Sequence, residues 1–301
     1  MDGALVVDKP TGMTSHDVVL TVRRLLSEPR IGHLGTLDPF AGGILVLVLG
    51  RATRLARFYR HVEKSYSGTI RFGFATTTYD REGDAASADC APVLAEEQLC
   101  SLFREFQGRR LQEPPPFSAK KISGVPAYRL ARKGLAVALK AVPITVHELE
   151  LVAIEGPCVR FRARVSAGAY IRSLAHELGQ RLRVGAHLAE LRRTAVGEFG
   201  ESSAISLSSL TQQFSKGLAP VIPPERLLGD LPGIVLQSEP AARATHGRDV
   251  EIDCPRNLAR LLDEQGHLIA VAERRRGAWF HPLVVMREPG MLMANEPGSP
   301  A

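Results

Sequence analysis

One carboxylate, Asp38, stands on a loop punctuated by glycine and proline, Gly32-His33-Leu34-Gly35-Thr36-Leu37-Asp38-Pro39-Phe40-Ala41-Gly42-Gly43, and six consecutive apolar residues follow at Ile44 to Leu49. An unbroken apolar run of that length predicts a strand covered on both faces. The loop ahead of it is therefore anchored at one end to the middle of a sheet, and Pro39 restricts the chain just after the acid. A surface turn would show the same glycine and proline content, so the loop alone does not define a site.

Further along, alternation predicts half-buried strands. Tyr66, Gly68, Ile70, Phe72 and Phe74 share one face of the first, with Tyr66 on the core side. In the second, over Cys158 to Ser166, Val159, Phe161, Ala163 and Val165 face inward while Arg160, Arg162 and Arg164 face outward. Those arginines read either as solubility charge or as a track for phosphates. Helical spacing predicts a helix from an N-cap at Ser15 through Leu26, another over Leu99 to Phe106, and a third from Tyr170 whose core face is Ile171, Leu174, Ala175, Leu178 and Leu182. Arg172 is expected just off that buried stripe, where positive charge near a helix start calls for a neighbouring anion. Arg51, Arg54, Arg57 and Arg60 recur every third residue on an expected α-helix, a basic stripe drifting around its surface. Pro114-Pro115-Pro116 ends any regular element, and a polar, serine-rich segment runs from 202 to 215. Short strands at 234–237, 250–252, 258–262 and 268–272, with a turn at 263–266, predict a small β-rich unit after a boundary near Pro223-Pro224.

The 301 residues carry a net charge of +6 and 45% hydrophobic content, enough for a sizeable core and modestly in favour of a polyanionic partner. Cys90, Cys100, Cys158 and Cys254 have neither metal-ligand nor disulfide spacing, and no His, Cys or acidic partner stands near His33 at metal-binding distance along the chain. No signal peptide or membrane span is read, so the expected location is the cytoplasm.

Several blocks in order along the chain resemble those of pseudouridine synthases of the bacterial tRNA pseudouridine(55) synthase type. They are the Asp38 loop, Asp8-Lys9-Pro10-Thr11-Gly12-Met13-Thr14-Ser15, Lys64-Ser65-Tyr66, Gly168-Ala169-Tyr170-Ile171-Arg172 and Leu191-Arg192-Arg193-Thr194. The resemblance implies an α/β (α+β) fold with a mixed, largely antiparallel central sheet and flanking helices over residues 1–224. It also implies an RNA-clamping insertion at about 112–140, a small PUA-like β-rich RNA-binding domain at 225–290 and a disordered tail at 291–301. By the same resemblance Asp38 is the catalytic nucleophile or base, Arg172 its cationic partner, and Tyr66 the ring that stacks on a flipped uracil. His33 supports flipping, Tyr170 and Leu191 wall the pocket, and Lys9, Lys121 and Arg132 bind substrate.

The implied reaction isomerises the T-loop uridine 55 of tRNA, with no cofactor, no metal, no guide RNA and a monomeric enzyme. The segment from Pro115 to Gly134, with Lys120, Lys121, Arg129, Arg132 and Lys133, resembles the insertion that stand-alone enzymes use to clamp the T-arm. Leu34, Phe40, Gly42 and Phe117 depart from the usual pattern, and the first and third remove hydroxyls near Asp38. A non-catalytic RNA-binding or tRNA-folding protein on the same scaffold is the competing reading. A glycosidase or nuclease is disfavoured, because no second carboxylate is placed to activate water.

Overall fold

The structure, a computed structural model, describes residues 1–118, 121–122, 125–126, 139–218 and 220–286. In chain order the N-terminal part runs β1 Gly3–Lys9, α1 Ser15–Leu26, β2 Ile31–His33, β3 Gly42–Leu49, a 3-10 helix Gly50–Tyr59, β4 Lys64–Phe72, α2 Glu96–Glu105 and β5 Gly108–Gln112. A two-strand hairpin of β6 Lys121–Ile122 and β7 Val125–Pro126 follows, then β8 Val142–Glu155, β9 Cys158–Val165, α3 Ile171–Leu182, β10 Ala186–Val196, β11 Phe199–Gly200, β12 Ile205–Ser206 and α4 Leu207–Ser215. The ten-stranded sheet has the order β12-β1-β3-β10-β4-β9-β8-β5, with β2 and β11 paired to β3 and β10. Only β1 with β12 and β3 with β10 run parallel, so the sheet is mixed and largely antiparallel as expected.

β3 shows why its sequence is apolar throughout. Ile44, Val46 and Val48 pack on one side with the 3-10 helix residues Ala52, Leu55 and Tyr59, while Leu45, Leu47 and Leu49 pack on the other with Val18, Val19 and Val22 of α1. Every residue of the strand is buried, so alternation vanishes from the sequence. Next to it, β4, β8 and β9 bury Ile70, Phe72, Leu149, Val159 and Phe161 beneath Leu99, Leu102 and Phe103 of α2 and Leu174 and Leu178 of α3.

Local differences from the sequence reading have physical causes. The N-cap of α1 is Thr14, in a capping box with Asp17, because the hydroxyl of Ser15 is turned to the Asp38 loop instead. The arginine stripe lies on a 3-10 helix, whose three residues per turn keep Arg51, Arg54, Arg57 and Arg60 in a straight row rather than a drifting one. Arg51 and Arg54 donate to the carbonyls of Met286 and Val285, joining the helix to the C-terminal sheet. The outward arginines of β9 meet carboxylates: Arg160 pairs with Glu155, Arg162 with Glu150, and Arg164 with Glu148 and Glu63. They form a cross-strand charge ladder with β8 and are not a free phosphate track. The serine-rich segment contains α4, capped by Ser206, whose Leu210 is buried against α1.

The C-terminal part forms a second sheet, of β13 Gly233–Val235, β14 Val250–Glu251, β15 Leu258–Leu262, β16 Leu268–Arg276 and β17 Trp279–Val285, in the order β13-β15-β16-β17-β14. The helix α5, Ser238–Thr245, packs on it through Ala241 and Ala244. Leu268, Val271, Val284 and Met286 of this sheet join the cluster of Val46, Val48 and Tyr59, so the two sheets share a core. Among the described residues no helix is long and apolar enough to cross a membrane, and no group of His, Cys, Asp and Glu is arranged to hold a metal ion.

Candidate active site

The Asp38 loop is held from three sides. The hydroxyl of Ser15 accepts from the Leu37 amide (2.8 Å) and donates to the Leu37 carbonyl (3.1 Å). From β10, the guanidinium of Arg193 reaches through the core, 1% exposed, and donates to the carbonyls of Ile44 (2.8 Å), Gly35 (2.9 Å) and Thr36 (3.3 Å). From β1, the ammonium of Lys9 donates to the carbonyls of Pro10 (3.0 Å), Met13 (2.6 Å) and Pro39 (3.4 Å). Lys9, for which substrate binding was expected, is fully buried with its donors directed at backbone carbonyls, and burial lowers its pKa to about 8. Its place is beneath the loop, joining residues 10–13 to the residue that follows Asp38.

Two carboxylates flank Arg172. Nε of Arg172 lies 2.9 Å from Oδ2 of Asp38, Nη2 donates to Oδ1 of Asp38 at 3.3 Å, and Nη1 lies 3.3 Å from Oδ2 of Asp80. Carbonyls complete the set, with Nη1 donating to Thr78 (3.1 Å) and Nη2 to Phe117 (2.9 Å). Contrary to the expectation of a position off the buried stripe, Arg172 is 5% exposed, and its charge is accommodated because acceptors surround the fork.

Asp38 keeps an open face, its side chain 36% exposed, although it sits deep among these groups. Burial pushes its carboxyl above the ordinary value; Arg172 opposes that rise and the neighbouring Asp80 reinforces it. Asp80 itself is fixed by the hydroxyl of Thr78 (2.5 Å) and the amide of Glu82 (3.0 Å). Asp80 was missed in the sequence, where it follows four loop residues, Thr76-Thr77-Thr78-Tyr79, without periodicity or a diagnostic spacing to Arg172.

The ring of Tyr66, on β4, is buried near Arg193, and burial raises its phenol so that it stays neutral. Leu191 of β10 is nearly buried in the same core cluster as Tyr66 and Leu37. Tyr170 precedes α3, and the side-chain amide of Gln112 clamps its backbone, accepting from the amide (2.8 Å) and donating to the carbonyl (3.1 Å). His33 ends β2, where its Nδ1 accepts from the amide of Gly35 at 3.3 Å, and burial together with Arg193 lowers its pKa. It lines a cleft of about 510 Å³ with Arg54, Arg57, Arg60, Lys64 and Gly168. Lys64, given no role of its own in the sequence, is a further cation here, lowered to about 8 by burial and by Arg193. The backbone of Lys121 lies in the β6-β7 hairpin, whereas its side chain, and Arg132 entirely, lie outside the described residues.

Three of the four departures from the family pattern, Leu34, Phe40 and Gly42, are packing positions. Leu34 is buried beside Val46 and Val48, Phe40 is buried under the guanidinium of Arg81, and a Cβ at Gly42 would lie 3.3 Å from the Lys9 carbonyl.

The TruB family pseudouridylate synthase N-terminal domain matches residues 23–171, and the tRNA pseudouridylate synthase B C-terminal domain matches residues 172–225. The chain is 45% identical over 293 residues to the tRNA pseudouridine synthase B of Solibacter usitatus (strain Ellin6076), covering 95% of this chain and 100% of that one. It is 41% identical to the enzyme of the same name from Thermobifida fusca (strain YX), over 94% of this chain and 98% of that one. Among solved structures, a chain of a Cbf5-Nop10-Gar1 complex superimposes with a TM-score of 0.75 at 27% identity, over 95% of this chain and 85% of its own length. A chain of an H/ACA RNP bound to a substrate RNA containing 2′-deoxyuridine gives 0.73 at 26% identity, over 96% and 86%. With full-length relatives at this identity, and with an aspartate loop, a buried arginine and a core tyrosine gathered as described, the chain belongs to the TruB family of pseudouridylate synthases.

Proposed function

We propose that this protein converts the T-loop uridine 55 of tRNA to pseudouridine, with Asp38 acting on the ribose of the extruded nucleotide. Isomerisation breaks the bond from the base nitrogen to the anomeric carbon, turns the uracil and bonds its C5 to the same carbon. The C5 proton leaves, a proton is taken up at nitrogen, and the reaction has no redox change. Positive charge develops at the anomeric carbon during cleavage, so an anion must stand beside it. The observation that carries the reading is the open carboxylate of Asp38 gripped from behind by a buried arginine. Arg172 supports the ionised form and fixes the direction of the oxygens. Asp38 either attacks the anomeric carbon or removes the 2′ proton, and both routes need that anion.

A uridine in a folded tRNA loop is out of reach until it is extruded, at a cost of roughly a few kcal/mol. Tyr66 supplies the stacking surface, Tyr170 and Leu191 the walls, and His33 occupies the position vacated by the base. The cations of the cleft beside His33, Arg54, Arg57, Arg60 and Lys64, run toward the same loop and suit a phosphate backbone. The T-arm is the element recognised, the basic insertion containing Lys121 and Arg132 clamps it, no guide RNA takes part, and the enzyme acts as a monomer in the cytoplasm.

Tritium release from C5-labelled uridine in an unmodified tRNA transcript tests this. The intact chain should release tritium, the product should map to the T-loop, and Asp38→Asn should bind tRNA without release. Tight binding with no release by the intact chain would instead favour the RNA-folding reading, and release at another position would overturn the choice of uridine.

A further inference from the structure

Two side chains on one face of α3 reach the same short turn. Arg172 and His176 are four residues apart, about one helical turn, and project side by side. Arg172 holds the carbonyl of Thr78 and the carboxylate of Asp80, while the imidazole of His176 stacks on the ring of Tyr79 between them. The centroids are 3.7 Å apart and the planes 9° from parallel. Three successive residues of the turn are thus held by two neighbouring positions of one helix.

The turn would not take this form without restraint. Tyr79 has φ of +65°, a left-handed conformation that a bulky aromatic residue rarely adopts and that costs of order 1–3 kcal/mol. That bend sends the Tyr79 ring to His176 while the groups on either side of it face the guanidinium. Backbone bonds from the Tyr79 amide to Thr76, from Leu188 to the Tyr79 carbonyl and from the Arg81 amide to Leu188 fasten the turn to β10.

His176 carries a mark of the same arrangement. Its Nε2 pairs with the Gln180 amide at 3.0 Å, but its buried Nδ1 has no hydrogen-bond partner. Burial lowers its pKa, so a neutral ring meets Tyr79 at neutral pH. A ring placed for hydrogen bonding would satisfy both nitrogens; this one lies flat on an aromatic neighbour instead.

We propose that Tyr79 and His176 are positioning residues for the isomerisation: their stack holds the 78–80 turn against α3, which keeps Asp80 and the Thr78 carbonyl on Arg172 and its guanidinium turned to Asp38. This rests on the roles proposed for Asp38 and Arg172. Neither ring touches the reacting nucleotide, and the effect reaches the reaction only through the orientation of Arg172.

The test compares full-length His176→Ala, His176→Phe and Tyr79→Gly with the unaltered chain in three measurements: single-turnover tritium release, tRNA Kd and hydrogen exchange of the amides of residues 79–81. His176→Ala should slow the single turnover about tenfold, leave Kd within about twofold and speed exchange in the turn. His176→Phe, which keeps a flat ring, should restore the rate and the protection. Tyr79→Gly adopts the left-handed conformation without strain and so should fold, yet it should lose the rate with the ring. An unaltered single-turnover rate in His176→Ala or Tyr79→Gly, unchanged exchange at 79–81, or failure of phenylalanine to restore what alanine loses would each overturn the proposal. Should the unaltered chain release no tritium, the isomerase reading falls, whereas the exchange comparison still decides whether the stack holds the turn.

Discussion

Asp38 is subject to opposing demands. To act in the proposed role it must be ionised, yet burial and the nearby Asp80 raise its pKa above the ordinary 3.8, and Arg172 resists that rise. A carboxyl with a raised pKa is protonated, and inactive as nucleophile or base, until the pH climbs past that raised value. The acid limb of kcat/KM should therefore lie above 3.8, with activity lost as pH falls through it. Arg172→Met removes the opposing charge and should move the limb up, while tRNA binding changes less than turnover. A pH-rate profile of the two proteins decides it; a limb that stays in place, or moves down, would show that Arg172 does not set the ionisation of Asp38. The sequence exposed this pair only through the motifs around each member. It hid Asp80 because a single acid in a polar loop has no periodic signal, and it gave no sign of the burial of Lys9 because a lysine beside a proline does not disclose that its donors turn inward.

At the scale of elements, the sheet positions the loop through a very close backbone approach. Gly43, at the start of β3, has φ of +99°, and a Cβ there would lie 2.2 Å from the Arg193 carbonyl and 2.8 Å from its amide. Both contacts are backbone atoms of β10, the strand whose arginine holds the Gly35 and Thr36 carbonyls, so no side chain can move aside. Gly43→Ala should destabilise the protein by about 3 kcal/mol or more and separate β3 from β10 beside the Asp38 loop. Urea denaturation would measure it, and a loss under about 1 kcal/mol would show that the strands separate at little cost. The run of β3 and the alternation of β4 and β9 were legible because their patterns are continuous. β8 and β10 were not: register shifts between Val146 and Glu148, Leu151 and Ala153, Leu188 and Glu190, and Arg193 and Ala195 break the two-residue period. The 3-10 helix was read as an α-helix because arginines three apart fit either until the pitch is known.

The whole molecule couples its two sheets through one junction. Tyr59, at the end of the 3-10 helix, donates its hydroxyl to Glu198 (2.6 Å), and both accept from the Leu228 amide (2.9 Å each), while Glu198 also accepts from Gly229 (3.0 Å). Leu228 has φ of +58°, so the chain bends sharply where it leaves one sheet for the other, and these acceptors hold the bend. Beneath it, Val271, Val284 and Met286 pack with Val46, Val48 and Leu55, a continuous core that the sequence could not display because its halves lie more than 200 residues apart. Two bodies sharing a core should unfold together. The single tryptophan of the chain, Trp279, lies on β17 and reports the second sheet alone, whereas far-ultraviolet circular dichroism reports both. The two thermal transitions should coincide in the unaltered protein. Tyr59→Phe removes one acceptor from the bend and the hydrogen bond to Glu198, and should cost about 1–2 kcal/mol. It should lower both transitions together. A tryptophan transition that precedes the circular dichroism change in the unaltered protein would mean that the C-terminal sheet melts independently, and that the shared apolar cluster does not join the two sheets into one cooperative unit.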